Sequence, residues 1–399
     1  MRPIKQLIVL AAGVFILSCS NDAALKKQAY DLAHKFIITD GHIDVPWRLN
    51  DGYEDLSVRT DDGDFDYVRA KEGGLDAPFM SIYVPSSYQE TGGAKEKADS
   101  LIDLVHRIAN DHPNKFEVAF SVSDVNRIFG DGKIALPMGM ENGAPLEGDI
   151  NNVKYFYDRG IRYITLTHGK DNFICDSSYD TTANRWGGLS PKGKEIVKEM
   201  NRVGIMVDIS HVTDEVINQV MDMTDVPVIA SHSSCRYFTP GWERNMGDAE
   251  IKRLKDNGGV IQINYGSSFV TQAAQNKRKA NTEKIAAYAE ENELDENDSD
   301  LQTFAKKVNE ENPMYADITE VVDHIDRVVT LAGIDHVGIG SDYDGVGDTL
   351  PYGLKDVTSY PNLIYHLLKR GYSEEDIEKI CYKNVWRVWS AVELAASNS

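Results

Sequence analysis

The chain has 399 residues, and 42 Lys and Arg stand against 63 Asp and Glu, which gives a formal net charge of −21. A surface this acidic argues against nucleic acid and against anionic membrane surfaces as partners. The apolar and aromatic content is that of a globular protein rather than a disordered one. The length is sufficient for one large barrel or for two ordinary domains.

The N-terminus predicts export. Arg2 and Lys5 precede an apolar run at residues 7–17, which is shorter than the roughly 20 residues of a transmembrane helix and fits the core of a secretory signal. The residues that follow resemble a bacterial lipoprotein signal, in which Cys19 becomes the lipidated first residue. We therefore expect residues 1–18 to be removed and the mature protein to be a membrane-anchored lipoprotein facing the periplasm or the cell surface.

Eight short apolar runs predict the strands of a parallel sheet, because each is rich in β-branched residues and helical patterns lie between most of them. The runs are residues 36–44, 75–84, 134–141, 161–168, 204–211, 226–232, 258–264 and 335–342. The helical patterns include residues 94–112, 190–203, 213–224 and 317–333. This alternation over this length predicts an α/β fold of the (β/α)8 or TIM-barrel type.

One segment departs from the alternation. Residues 273–312 are charged and contain almost no strand-forming residues, so we expect a solvated helical insertion within a single barrel domain at residues 19–399. A lid over a binding site is the functional alternative for such an insertion. The polar loop at residues 169–188 is a second candidate for the wall of a site.

Histidines and carboxylates end six of the eight predicted strands. They are His42 with Asp44, Glu141, His168, His211, His232 and Asp342. In a parallel barrel the carboxyl ends of the strands meet at one face, where ligands bind. So many metal-binding residue types at strand ends are hard to attribute to chance, and a functional site is predicted at that face.

The residue types favour borderline divalent metals, above all zinc. We expect two zinc ions per chain. One would be held by His42, Asp44 and Glu141. The other would be held by Glu141, His211 and His232, so that Glu141 bridges the pair. Two ions about 3.5–4 Å apart hold a hydroxide between them and polarise the carbonyl that it attacks.

Two strand-end residues remain for catalysis. Asp342 is predicted to take a proton from the nucleophile and to return it to the leaving amine. His168 is predicted to stabilise the developing oxyanion. Residue types and positions alone leave open which of these side chains bind metal and which transfer protons.

Nine stretches in the same order resemble the membrane (renal-type) dipeptidase family, peptidase family M19 of the metal-dependent amidohydrolase superfamily. They are residues 40–44, 72–74 with 81–85, 139–141, 162–168, 188–193, 207–211, 231–234, 244–245 and 338–345. The resemblance spans nearly the whole mature chain, and it implies an amidohydrolase-like barrel with its metal site at the carboxyl ends of the strands.

The resemblance also implies an activity and further site residues. It implies zinc-dependent hydrolysis of dipeptides, including those with a C-terminal D-residue, with Glu141 bridging the two ions. It implies that His168, Asp342 and Arg244 contact substrate, Arg244 through the free carboxylate of the dipeptide. Tyr265 is the candidate for the family's tyrosine after the seventh strand, although the local spacing differs. Many relatives are dimers, so a homodimer is a further expectation.

Two other functions fit part of the pattern. A related barrel hydrolase would act on another amide, a lactam or an ester, and would not need Arg244. A non-catalytic metal- or peptide-binding lipoprotein would not need Asp342 as a base.

Overall fold

The computed structural model describes residues 22–182, 184–295 and 298–398. The expected signal segment at residues 1–18 and the expected lipidation site at Cys19 lie outside the described residues. Within the described part, no helix is long and apolar enough to cross a membrane.

The described chain contains ten strands: β1 (Ile38–Ile43), β2 (Leu75–Tyr83), β3 (Phe116–Val118), β4 (Ile134–Leu136), β5 (Met138–Glu141), β6 (Ile161–Thr165), β7 (Met206–Asp208), β8 (Ile229–Ser233), β9 (Val260–Ile263) and β10 (Val337–Ile339). Eight of them are parallel and close into a barrel in the order β1-β10-β9-β8-β7-β6-β5-β2. Each predicted apolar run contributes one barrel strand, and the predicted TIM barrel is confirmed.

The run predicted as one strand at residues 134–141 forms two strands. β4 pairs with β3, which was not predicted, in a separate parallel sheet, whereas β5 belongs to the barrel. Pro137 lies between them and has no N–H to donate to a strand ladder. Its carbonyl oxygen accepts a hydrogen bond from the Met80 amide at 2.8 Å. The chain therefore passes from one sheet to the other at this proline.

Helices surround the barrel and connect its strands. They are α1 (22–33), α2 (Val45–Asp51), α3 (Tyr67–Gly73), α4 (Tyr88–Thr91), α5 (Ala94–Asp111), α6 (Val122–Gly130), α7 (Asn151–Arg159), α8 (Pro191–Val203), α9 (Asp214–Met223), α10 (Asp248–Asn257), α11 (Ser267–Val270), α12 (Gln272–Asn292), α13 (Ser299–Glu311), α14 (Ile318–Leu331), α15 (Tyr360–Arg370), α16 (Glu374–Glu378) and α17 (Asn384–Ser397). A π-helical turn, Lys379–Lys383, joins α16 to α17. The helices predicted from apolar spacing are all present.

Capping residues fix where two of these helices begin. Ser190 Oγ accepts a hydrogen bond from the Gly193 amide at 2.8 Å, and Pro191 occupies the first position of α8, where its missing N–H costs nothing. Asp317 and Glu320 form a capping box at the start of α14. Both helices begin where the sequence predicts.

The segment at residues 273–312 consists mainly of α12 and α13, which pack on each other. The rings of Tyr288 and Phe304 stack with centroids 3.8 Å apart. Asn281, buried on α12, donates from Nδ2 to Asn309 Oδ1 at 3.0 Å and to the Asn312 carbonyl oxygen at 3.1 Å. The pair of helices is therefore held together by both apolar and polar contacts.

The last helix closes one end of the barrel. A buried cluster joins α17 to residues at the N-terminal ends of several strands, namely Ile37, Met206, Ile229 and Val260. Trp389 of α17 is fully buried there, with its ring centroid 5.2 Å from that of Phe79. Because this cluster fills the N-terminal end, the opposite, carboxyl end of the strands is left for a site.

Removing the indole at the centre of this cluster should destabilise the protein. Trp389→Ala is expected to lower the free energy of unfolding by about 3–5 kcal/mol, because it leaves a large cavity among buried side chains. Leu394→Ala is the matched control, since Leu394 lies on the same helix but is 64% exposed, and it should change stability by no more than about 0.5 kcal/mol. Urea denaturation followed by circular dichroism measures both. Equal stability of the two variants would contradict this account of barrel closure.

Candidate metal centre and active site

The predicted metal ligands converge around Glu141, at the end of β5. Glu141 Oε2 lies 3.4 Å from His42 Nε2, which in turn lies 3.4 Å from Asp44 Oδ2. Glu141 Oε1 faces a different group, with His211 Nε2 at 3.0 Å and His232 Nε2 at 3.3 Å. The two oxygens of one buried carboxylate therefore face different ligand atoms.

Unpaired atoms in this cluster fit a bound cation. His42 Nε2 and Asp44 Oδ1 are buried and have no hydrogen-bond partner within the described chain. Such atoms cost free energy unless a ligand compensates them. Among the described residues, three sets of three offer ligand atoms within 4.8 Å of one another: His42, Glu141 and His232; Glu141, His168 and His211; and His42, Asp44 and Asp342. The residues fit metal ions, and His168 and Asp342 lie close enough to contact the same centre.

A tyrosine from β6 fixes the orientation of His42. The Tyr163 hydroxyl donates to the Gly41 carbonyl oxygen at 3.1 Å and lies 2.8 Å from His42 Nδ1. A hydroxyl carries one proton, so Tyr163 accepts from Nδ1–H of the imidazole. The proton on Nδ1 leaves the Nε2 lone pair directed at the cluster, which is the arrangement that metal-binding histidines use.

His232 is oriented in the same way by Ser231. The Ser231 hydroxyl donates to Asp208 Oδ2 at 2.7 Å and lies 2.7 Å from His232 Nδ1. It therefore accepts from Nδ1–H, and the Nε2 lone pair of His232 faces Glu141. Asp208 also accepts backbone amides from Ser210 and Ser231, at 3.0 and 2.8 Å, which holds this chain of hydrogen bonds in place.

Asp342 lies beside the same cluster. Burial raises the pKa of the Asp342 carboxyl to about 7, and the nearby Asp44 carboxylate adds to the shift. Cations bound beside it would lower this pKa through their charge. Asn264 Nδ2 donates to Asp342 Oδ2 at 2.7 Å and fixes the carboxylate. A Cβ on Gly345 would lie 2.1 Å from Asp44 Oδ2 and 2.4 Å from Asp342 Oδ1, so only glycine leaves room for both carboxylates.

His168 differs from the other histidines in being partly exposed. Its Nε2 lies 3.6 Å from Glu141 Oε1, and its side chain is 24% exposed. Burial lowers its pKa, and the positive charge of Arg244 acts in the same direction, so a neutral imidazole is favoured near pH 7. Its ring lies against those of Tyr83 and His211, with centroids at 4.8 and 4.3 Å.

The cluster lies in the wall of a cavity of about 580 Å³. The strand-end residues that line it are Asp44, Glu141, His168, His211, His232 and Asp342. The predicted insertion contributes Arg278, Asn281, Thr282, Ile285 and Asn309. The cavity is thus formed by the carboxyl ends of the strands on one side and by α12 and α13 on the other.

Four aromatic residues of the cavity wall, Trp47, Tyr83, Tyr179 and Phe269, were not predicted. Trp47 and Tyr83 pack edge to face with centroids 5.1 Å apart, and Tyr179 lies 5.6 Å from the His211 ring. Tyr83 belongs to one of the family-like stretches, and Tyr179 lies in the polar loop predicted as a wall. Trp47 follows the first strand, and it lies neither in a stretch that resembles the family nor in the polar loop.

Arg244 lies just behind the cavity wall, beside two of the histidines. It is 2% exposed. Its Nη2 donates to the His232 carbonyl oxygen at 2.8 Å and lies 3.1 Å from His211 Nε2, and its Nη1 donates to Ser233 Oγ at 2.8 Å. The guanidinium is therefore held against the ligand cluster.

Tyr265, a predicted substrate contact, is not among the residues that line the cavity. It is fully buried, its ring packs edge to face on Tyr343 with centroids 5.8 Å apart, and its hydroxyl has no hydrogen-bond partner within the described chain. The side chain belongs to the packed interior beyond β9.

The barrel and the convergent histidines and carboxylates define a TIM-barrel protein with a site suited to metal-dependent hydrolysis. The chain belongs to the membrane dipeptidase family, peptidase family M19, whose family model matches residues 26–399. It is 34% identical over 343 residues to dipeptidase tcpJ of Claviceps purpurea, which covers 84% of this chain and 71% of that protein. It is 32% identical over 386 residues to an uncharacterized dipeptidase of Schizosaccharomyces pombe, which covers 92% and 83% of the two chains.

Solved structures show the same fold. The structure is similar to that of the probable dipeptidase PvdM from Pseudomonas aeruginosa, with a TM-score of 0.80 and 27% identity over 94% of this chain and 100% of that chain. A metallopeptidase from Rhodobacter sphaeroides, liganded with a phosphinate mimic of the dipeptide L-Ala-D-Ala, has a TM-score of 0.73 and 23% identity over 90% and 99%. The protein is therefore a dipeptidase of a metallopeptidase family, and the predicted family is confirmed.

The glycine that admits the two carboxylates provides a test of the metal centre. Gly345→Ala should weaken binding of a divalent metal such as Zn²⁺ roughly 10- to 100-fold, because the added Cβ would push the Asp44 carboxylate out of position. Calorimetric titration of metal into chelator-treated protein measures the change. Gly169→Ala is the control beside His168, because its added Cβ would have Ser86 Oγ at 3.8 Å as its nearest neighbour. Equal metal affinity of the two variants would contradict the assignment of Asp44 as a metal ligand.

Proposed function

We propose that the protein is a binuclear zinc dipeptidase in which Glu141 bridges the two ions. The observation that carries the proposal is the division of the Glu141 carboxylate, with Oε2 toward His42 and Oε1 toward His211 and His232. Asp44 completes the group on the His42 side. Histidine and carboxylate ligands of this kind suit zinc. When bound, such ions lower the pKa of a water molecule and polarise the scissile carbonyl.

Asp342 acts as the acid and base in this proposal. Its carboxylate adjoins the ligand group of His42 and Asp44, where it can take a proton from the attacking water and deliver it to the leaving amine. The hydrogen bond from Asn264 keeps one oxygen fixed and leaves the other to face the reacting atoms. Positioned proton transfer of this kind contributes about 10²- to 10⁴-fold to a rate.

His168 and Arg244 position the substrate. A neutral His168, partly exposed in the cavity wall, donates a hydrogen bond to the oxygen that gains charge during attack. Arg244 binds the free carboxylate of the dipeptide. Its Nε is buried and has no hydrogen-bond partner within the described chain, so a donor remains for an anionic ligand. Dipeptides with a C-terminal D-residue are included among the proposed substrates.

The proposal also covers where the protein acts. Export and lipidation of Cys19 are supported by the signal-like segment at residues 1–18. The lipid would hold the enzyme on a membrane facing the periplasm or the cell surface. A homodimer stays a prediction.

Metal content and dipeptidase activity, measured together, test the central proposal. The purified protein should contain about two zinc ions per chain and release free amino acids from L-L and L-D dipeptides, and a chelator should abolish both properties. Elemental analysis and an amino-acid assay measure them. Two zinc ions without dipeptide cleavage would favour a hydrolase for another amide, a lactam or an ester. Protein that binds no metal would contradict the proposed site.

Asp342→Asn tests the proposed proton transfer. The substitution keeps the shape of the side chain but removes its basicity, so kcat should fall by about 10²- to 10⁴-fold while two zinc ions remain bound. Asp348→Asn is the control, because Asp348 is an aspartate close in sequence whose side chain is 84% exposed. A protein that only binds metal or peptide would show no difference between the two variants.

A further inference from the structure

Helix α12 of the insertion brings a cation to the cavity. Arg278 is the one Lys or Arg among the described residues that line it. The other insertion residues in the wall are neutral: Asn281, Thr282, Ile285 and Asn309. The many acidic residues of the insertion are absent from this wall in the described part of the chain. The segment therefore presents positive charge to the cavity although its overall composition is rich in carboxylates.

The guanidinium of Arg278 is largely free to bind a ligand. Its Nη1 donates to Ser268 Oγ at 3.3 Å, and no carboxylate forms an ion pair with it among the described residues. Three lysines of the insertion, in contrast, pair with glutamates there: Lys279 with Glu283, and Lys284 and Lys307 with Glu311. A guanidinium has five N–H donors, so most of those of Arg278 remain available.

The helix that carries Arg278 is held in place close to this side chain. Asn281 lies one turn further along α12, is buried, and donates to Asn309 and to the Asn312 carbonyl oxygen. Asn312 Nδ2 returns a hydrogen bond to Asn281 Oδ1 at 2.8 Å. These bonds fix the position of α12 at the cavity, so that Arg278 has a defined place in its wall.

Arg278 and Arg244 both contact residues of α11. Ser268 accepts the hydrogen bond from Arg278, and the next residue, Phe269, has the Arg244 guanidinium 5.1 Å from its ring centroid. Ser268 and Phe269 both line the cavity. A residue whose main-chain carboxylate is held by Arg244 would therefore lie close enough to extend its own side chain toward Arg278.

We propose that Arg278 binds an acidic side chain on the C-terminal residue of the dipeptide, so that the enzyme prefers dipeptides ending in glutamate or aspartate. The inference rests on the proposed function, in which Arg244 holds the main-chain carboxylate. A planar guanidinium matches a carboxylate in charge and geometry. Of the carboxylates that line the cavity, Asp44, Glu141 and Asp342 belong to the metal cluster, and Asp344 pairs with Arg48 at 3.3 Å. Arg278 is therefore the group that distinguishes a second acidic group on the substrate from a neutral one.

Isosteric substrates separate charge recognition from size. The zinc-loaded full-length protein should cleave Ala-Glu with a kcat/KM roughly tenfold above that for Ala-Gln, the scale of one charge-assisted contact. In Arg278→Gln this ratio should fall close to unity, and Arg278→Lys should restore part of it because it retains the charge. Lys279→Gln is the matched control, since it removes a positive charge from the same helix at a residue outside the cavity wall. It should keep the ratio of the unmodified protein.

Two results would overturn the inference while the proposed function stands. One is an equal kcat/KM for Ala-Glu and Ala-Gln in the unmodified protein. The other is an Arg278→Gln variant that keeps the preference. A preference for Glu-Ala over Gln-Ala that depends on Arg278, without one for Ala-Glu, would overturn the assignment to the C-terminal residue. Failure to cleave any dipeptide, Ala-Ala included, would instead reject the proposed function itself.

Discussion

The buried carboxylate of Glu141 is the group on which the arrangement of the site depends. A carboxylate removed from water is strongly destabilised unless positive charge or hydrogen bonds compensate it. Burial would raise the pKa of the Glu141 carboxyl, but the surrounding imidazoles of His42, His168, His211 and His232 hold it well below its usual range, and cations bound between them would act in the same direction. These partners follow different strands, and a closed parallel barrel arranges the carboxyl ends of all its strands around one face. The histidines can therefore surround Glu141 because the strand ends meet at that face.

A glycine inside the barrel makes room for the residue that orients His42. A Cβ on Gly139 would lie 1.9 Å from Cζ of the Tyr163 ring, so glycine at this position leaves room for that ring. Tyr163 then reaches His42 and fixes its proton on Nδ1. His42, so oriented, faces Glu141, two residues along the strand from Gly139. The short stretch from Gly139 to Glu141 therefore supplies both a ligand and the space for the residue that orients its partner.

The properties that sequence could predict are those that repeat along the chain. The barrel strands follow from apolar runs, and the cluster follows from the rule that parallel strands end at one face. His211 and His232 could be placed together on that rule alone. The break at Pro137 was missed because apolar residues continue across it while the strand changes partners from β3 to the barrel. Trp47 was missed for a related reason, since its place in the cavity depends on contacts distant in sequence and not on a local pattern.

The composition of the insertion predicts exposed helices but not which of their residues line the cavity. Its charge and lack of strand formers agree with the two exposed helices α12 and α13, because most of their residues face water. Average composition does not reveal that one face of α12 borders the cavity. In the proposed function, reaction chemistry and substrate selection are thus assigned to different parts of the chain. The first is fixed by rigid strand ends, where small displacements would separate the ligands. The second is assigned to Arg278, on a helix joined to the barrel after β9, where a substitution can change recognition without moving a strand-end residue.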